Sequence, residues 1–434
     1  YAIDTLGSSP DGAPRLLWVQ DLSNPNVAAA NLPGLRQAPI PPAILPPQLQ
    51  IQLANFQNQP NLLGPADNNY VCLRRFQSVM AVDPRNGETL WVRQDMPAVC
   101  DVFGDDRHLF VLTTDEEDAR LLRVGDGELL GTRKLPRHVI QRRMPNGQMQ
   151  TMYSTLQDTC LAAFGRKLLL WWPEGNQREL TLIDPLEGRD EWPRRKFAAN
   201  AQTSVADDET VGVMEPDGRF VLISLPDGRT LADVKLDSEP DLLNITLFKS
   251  GEQFFLLTNY QSGNIPPIQP MPNQRHHSIN PINQGRLYAF DSQGKLLWPG
   301  PVKVEKQLLL SDQPAALPVV IFASQHYERK PNGQGQWKPR VLCFDKRSGR
   351  RVYKGEFDNH MGIFNVACDI EKKTVALTMQ KETVTLTYTD NPIPPPSAAD
   401  ADPTESPPGS KIAHALWNSI RKTIVPINPF GDED

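Results

Sequence analysis

The chain has 434 residues but only five cysteines, at 72, 100, 160, 343 and 368, with no Cys-x-x-Cys pair among them. That spacing excludes the usual zinc and thioredoxin patterns. It reads as buried free thiols in strands, with a single bridge such as Cys72–Cys100 as the alternative. No stretch approaches 18 uninterrupted apolar residues, so no transmembrane helix is expected. Neither sign of charge dominates: Lys and Arg number 45, Asp and Glu 51, for a net charge of −6 with the signs interspersed. A broad basic footprint for nucleic acid is therefore not expected. A Gly-x-Ser-x-Gly elbow, a His-Glu-x-x-His helix and a phosphate-binding glycine loop are all missing. Hence no catalytic residue, metal ligand or cofactor-binding residue is assigned, and no cofactor is expected. The first residues show no Met, charged n-region or apolar h-region. They read as the middle of a strand, which leads to the expectation of a module cut from a longer polypeptide.

Proline, in contrast, is abundant, at 41 residues. Long helices are improbable at that density. The hydrophobic share of 39% is enough for a folded chain. The length calls for two or three domains or one large repeat architecture.

A repeat is visible. Four segments share one template: AVDPRNGETLW (81–91), LIDPLEGRDEW (182–192), AFDSQGKLLW (289–298) and CFDKRSGRRVY (343–353). Each has an apolar run, then Asp83, Asp184, Asp291 or Asp345, then Gly87, Gly188, Gly294 or Gly349, then an aromatic: Trp91, Trp192, Trp298 or Tyr353. Looser copies lie at 1–18, 121–131 and 220–232. Alternating apolar residues mark a half-buried strand. The Asp can accept hydrogen bonds from the turn backbone, and the Gly supplies the positive φ of a tight hairpin. Metal binding or catalysis by these Asp residues is the alternative, but turn capping accounts for their recurrence. Two shorter strands precede each hairpin, as in 101–115, 160–172, 203–215 and 243–259, making units of four strands, A to D. Such units every ~40–50 residues predict an all-β chain, a β-propeller of four-stranded antiparallel blades. Residues 363–389 supply strands A to C only and the first copy C and D only. Either the two merge, giving seven blades, or upstream strands complete both, giving eight, which is favoured with the first blade truncated.

The hairpin resembles the PQQ-like β-propeller repeat, whose usual form is an "ALDA-x-TG-x-LW" run. The match covers most of residues 1–390 in short pieces. The family includes quinoprotein alcohol dehydrogenases, the outer-membrane protein assembly lipoprotein of Gram-negative bacteria, and propeller modules of surface and kinase-linked proteins. The resemblance implies the fold rather than an activity. The quinoprotein enzymes use a vicinal cysteine ring, calcium-binding carboxylate and Asn groups and a catalytic Asp; no Cys-Cys pair occurs here.

Strand alternation sorts the connections. A–B and C–D turns leave one face of a blade, B–C and D–A connections the other. The tight turns are of the first kind. The long segments 26–60, 137–158, 260–285 and 326–339 are of the second, so all four are expected on one face. Loops on a rigid scaffold are where binding resides. Candidate partner-binding residues there are Arg36, Arg142, Arg143, Arg275, His276, His277 and Trp337, Arg and Trp being frequent interface anchors. His276 and His277 are adjacent, point opposite ways in an extended chain and make a poor chelate. Trp171 and Trp172 are assigned to blade packing.

After Thr389 the composition turns to proline, small residues and acids, as in a linker over 390–409. Ser410 then caps an expected short amphipathic helix, KIAHALWNSIRKTIV, stopped by Pro426, with an acidic tail beyond. Its apolar stripe adds Leu416, Trp417 and Ile420 to the candidate partner-binding residues, alternatives being docking on the propeller or lying on a membrane surface. The reading is a non-enzymatic, extracytoplasmic bacterial scaffold that binds protein partners through the long-loop face and the C-terminal helix, with no nucleic acid partner. Alternatives are a quinone (PQQ)-dependent dehydrogenase of alcohols or sugars and a sensor domain of a signalling protein.

Overall fold

The structure, a computed structural model, describes residues 2–8, 14–18, 63–389 and 421–426, apart from short breaks and residues 261–278. It is all-β, of the β-propeller class, and built from consecutive antiparallel sheets with one helical turn, Leu156–Thr159. The chain divides into two compact units, residues 1–196 and 197–434.

In the first unit, β1 (Ala2–Ser8) and β2 (Pro14–Trp18) pair with each other. A four-stranded sheet follows: β3 (Leu63–Ala66), β4 (Val71–Arg75), β5 (Ser78–Val82) and β6 (Thr89–Arg93). The next comprises β7 (Cys100–Gly104), β8 (His108–Thr113), β9 (Ala119–Arg123) and β10 (Leu129–Arg133). A separate hairpin of β11 (Val139–Arg143) and β12 (Met149–Tyr153) leads into β13 (Cys160–Phe164), β14 (Lys167–Glu174), β15 (Gln177–Asp184) and β16 (Arg189–Asp190). β17 (Arg195–Ala198) lies at the boundary.

The second unit begins with β18 (Gln202–Val205), β19 (Thr210–Met214), β20 (Arg219–Ser224) and β21 (Thr230–Lys235). A continuous larger sheet holds β22 (Leu242–Ser250), β23 (Gln253–Tyr260), β24 (Ile279–Phe290), β25 (Val302–Leu310), β26 (Val319–Arg329), β27 (Gly335–Asp345) and β28 (Arg351–Glu356). β25 serves both halves: it pairs with β24 along its length and with β26 at Leu308 and Leu309, after a positive φ of 51° at Lys306. The last sheet is β29 (Ile363–Asp369), β30 (Thr374–Met379), β31 (Glu382–Thr387) and β32 (Arg421–Pro426).

The hairpin chemistry takes the form the repeat predicts. Asp83 Oδ1 accepts the Arg85 amide at 2.8 Å, and the Gly87 amide donates to the Asp83 carbonyl at 2.8 Å with φ 74°. Asp184 and Gly188, and Asp345 and Gly349, repeat the arrangement. The aromatic then packs on the next C–D turn along the chain. Trp91 Nε1 donates to the Val124 carbonyl at 2.5 Å, and its ring lies on Gly127, where a Cβ would stand 2.7 Å from the indole. Trp298 repeats this with the Lys346 carbonyl at 3.1 Å and with Gly349. The glycine is required twice, by the turn and by the neighbouring ring. Core clusters lie between successive sheets: Cys72, Val79, Leu109 and Val111 pack together, as do Phe110, Leu121, Leu168 and Trp172. Trp171 and Trp172 are buried, as assigned.

Four expectations need correction. Residues 421–426 of the expected C-terminal helix form strand β32, while 410–420 lie outside the described residues. Thr423, Ile424 and Val425 are β-branched and favour a strand where a sheet edge is on offer. β32 gives the last sheet its fourth strand. The segment 137–158 contains the β11–β12 hairpin, and 326–339 continues the β26–β27 ladder rather than forming an open loop. In 260–285, residues from Ile279 on belong to β24. All five cysteines are free.

Candidate interaction site

The tight-turn ends of the sheets are tied off by hydrogen bonds. Within single sheets the Val124 amide donates to the Arg107 carbonyl, Leu225 to Glu209, and Lys346 to Pro318, joining C–D turns to A–B turns. Arg166 pairs with Asp184 of its own sheet at 2.8 Å and reaches Asp105 of the preceding sheet at 3.4 Å, and Tyr70 Oη donates to the Asp105 carbonyl across neighbouring sheets at 2.7 Å. Lys346, 4% exposed, donates to Ser250 Oγ at 3.1 Å and the Ala315 carbonyl at 2.7 Å over the Phe255 ring. Among the described residues no carboxylate pairs with it, and burial pushes its pKa down to about 8. These ends are closed and structural.

Two arms extend from the sheets, one in a D–A connection and one in a B–C connection. In the first unit β11 and β12 pair only with each other, Val139 opposite Tyr153 through Arg143 opposite Met149. Their base is fixed: the Arg137 guanidinium donates to the Ser154 carbonyl at 2.6 Å and the Glu116 carbonyl at 2.6 Å, and stacks on Tyr153. The Tyr153 amide donates to the Thr114 carbonyl, and Leu156 to Asp101. On this anchored hairpin Val139 and Met149 are 58% and 59% exposed. In the second unit the β26–β27 ladder runs on to Arg329 opposite Gly335, whereas β28 pairs with β27 only over Arg340–Phe344 and β25 reaches only Ala323. The outer part is a two-stranded arm with no third strand among the described residues. A strand edge without a partner is a template for another chain.

Where Thr258 of β23 faces Arg286 of β24 lies a buried polar cluster. Glu239, 2% exposed, takes a hydrogen bond from Thr258 Oγ1 at 2.9 Å and from Arg286 Nη1 at 2.9 Å. Its Oε2 is buried without a hydrogen-bond partner among the described residues. Burial raises the Glu239 pKa against the pull of Thr258 and Arg286. Burial also works against the Arg286 charge, but Glu239 and the tyrosines Tyr288 and Tyr260 more than restore it. The guanidinium lies 5.5 Å from the centre of the Tyr260 ring and 3.5 Å from Asp237. Thr258 Oγ1 accepts the Arg286 amide and Asn259 Oδ1 the Asn283 amide, both at 3.0 Å, where side chains stand in for ladder bonds between β23 and β24.

Of the candidate residues, Arg142 and Arg143 lie in β11, and Trp337 lies in β27 opposite Tyr327. Arg36, Arg275, His276, His277, Leu416, Trp417 and Ile420 lie outside the described residues. Sequence reasoning missed Glu239, Thr258 and Arg286. The only signal was an Arg inside the apolar strand run that ends at Phe290. Among the described residues no cluster of His, Cys, Asp and Glu could hold a metal ion, and no helix is long and apolar enough to cross a membrane.

The chain matches no family model and no curated protein. It is similar to solved structures at low identity. BamB from Moraxella catarrhalis is 14% identical, with a TM-score of 0.33, over 73% of this chain and 81% of that one. The dihydro-heme d1 dehydrogenase NirN in complex with DHE is 12% identical, with a TM-score of 0.36, over 74% and 63%. The computationally designed Ika8 protein is 10% identical, with a TM-score of 0.29, over 74% and 94%. Likeness at this level carries no argument about activity or partners.

Proposed function

We propose that this chain is a non-enzymatic β-propeller scaffold for protein–protein interaction, a module of a larger bacterial extracytoplasmic protein. The observation that carries the reading is the pair of hairpin arms, β11–β12 and outer β26–β27, whose edges pair with no further strand among the described residues. In each unit the tight turns are bonded together, which supports the arm-bearing connections leaving from the other end of their own unit. An anchored arm loses little freedom on binding, so partner strands can add to its edge by main-chain hydrogen bonds. The bacterial extracytoplasmic setting rests on the PQQ-like repeat resemblance alone.

The test shortens each arm to an Asn-Gly turn, at 140–152 and at 326–338, and compares cross-linked partners recovered from source cells. The expected result is a partner captured by the intact chain and lost with a shortened arm, at an unchanged melting temperature. The same partners on all three proteins would overturn the reading, as would dye-linked oxidation of alcohols or sugars on adding PQQ and calcium.

A further inference from the structure

The last sheet takes its edge strand from far along the chain. β29, β30 and β31 follow one another across residues 370–373 and 380–381, but β31 ends at Thr387 and β32 begins only at Arg421. The ladder between them is nevertheless unbroken, from Glu382 opposite Pro426 to Thr387 opposite Arg421. β31 is secured from its other side. It pairs with β30 from Thr374 opposite Thr387 to Thr378 opposite Thr383, and its Val384 and Leu386 are buried in a core with Val375, Leu377, Ile321 and Cys343. The acceptor edge is thus built without β32, while β32 is attached through a connection of about thirty residues. Closing a pairing over a longer stretch of sequence costs more conformational entropy, though the cost grows only slowly with length. A second copy presents the same strand to the same edge in the same register, and exchange of an identical element is a low-cost route to association.

The geometry points to the β31 edge as an exchangeable strand-acceptor site: the Arg421–Pro426 strand of one copy leaves it and the same strand of a second copy takes its place, joining the two chains. The partner is a second copy of this chain. The recognition chemistry is a short, β-branched antiparallel strand added through main-chain hydrogen bonds.

The experiment uses the full chain and a fluorescent peptide spanning 419–428. Along a strand, alternate residues turn their N–H groups to one neighbour, so the pair Thr423→Pro, Ile424→Pro removes a donor to β31 whichever way the register faces. Made in the full chain, the double substitution vacates the edge. The expected results are saturable peptide binding to the wild type, binding about tenfold tighter to the variant because its internal competitor is gone, and no binding of a peptide carrying the two prolines. Sedimentation should show a concentration-dependent dimer for the wild type and a monomer for the variant. Hydrogen exchange of residues 374–387 separates a vacated edge from lost structure. The proposal is overturned by absence of peptide binding to both chains, by equal affinity for both, by a monomeric wild type at every concentration, or by loss of protection across β30 and β31 in the variant.

Discussion

The indole of Trp298 lies flat enough on Gly349 that any Cβ there would come within 2.7 Å of the ring, while Nε1 holds the Lys346 carbonyl of the same turn. A ring at the end of one hairpin and a hydrogen atom in the next are therefore one fitted joint, repeated by Trp91 on Gly127.

Gly349→Ala should cost about 2–4 kcal/mol in urea unfolding, from the left-handed backbone and the displaced ring together. Trp298→Ala should cost about 3–5 kcal/mol. In the double variant the alanine has no ring to displace, so its cost should fall to the backbone share of about 1–2 kcal/mol. Additive costs would refute the joint.

Lys346 sets a pH dependence. Its folded pKa of about 8 lies below the ordinary 10.5. Between these values the unfolded chain binds more protons, so stability rises with pH across that window. The difference between wild type and Lys346→Met should shift by about 3 kcal/mol in favour of the wild type from pH 8 to 10.5. Guanidinium melts of both proteins at several pH values check this, and a flat difference would refute it.

Glu239 works on the acid side with the opposite trend. Burial raises its folded pKa. The stability it contributes is thus present below the unfolded value and lost as pH rises through the folded one. Glu239→Gln should gain on the wild type as pH rises above the ordinary glutamate pKa. Glu239→Ala, which removes the buried partner of Arg286 and leaves it only the longer contact to Asp237, should cost about 3 kcal/mol at neutral pH.

The thiols should be quiet. Burial pushes Cys72, Cys160 and Cys343 up to about 12, and raises Cys100 and Cys368. With a thiol reagent at pH 8, Cys368 should react first, and Cys72, Cys100 and Cys343 only at the rate of unfolding. Rapid labelling of Cys343 would contradict the packing around it.

The sheets were legible because the repeat encodes local chemistry: an Asp that caps a turn, a Gly that bends it, a ring four residues on. Asp83, Gly87 and Trp91 each do what their spacing says. The tail reads as a helix because Ile420 and Ile424 fit a helical stripe as readily as Thr423, Ile424 and Val425 fit a strand, and over 421–426 the edge of β31 decides for the strand. The Glu239–Arg286 pair was out of reach, since it joins a connector to a strand interior and leaves no periodic trace. The segments 137–158 and 326–339 read as long connections, because their ladders depend on pairing that composition does not announce.

One consequence follows from β25. A single strand, with a positive φ at Lys306, belongs to both halves of the seven-stranded sheet, so the two halves share main-chain pairing through it. They should melt as one cooperative block, and a chain cut at Lys306 should lose both together instead of shedding one.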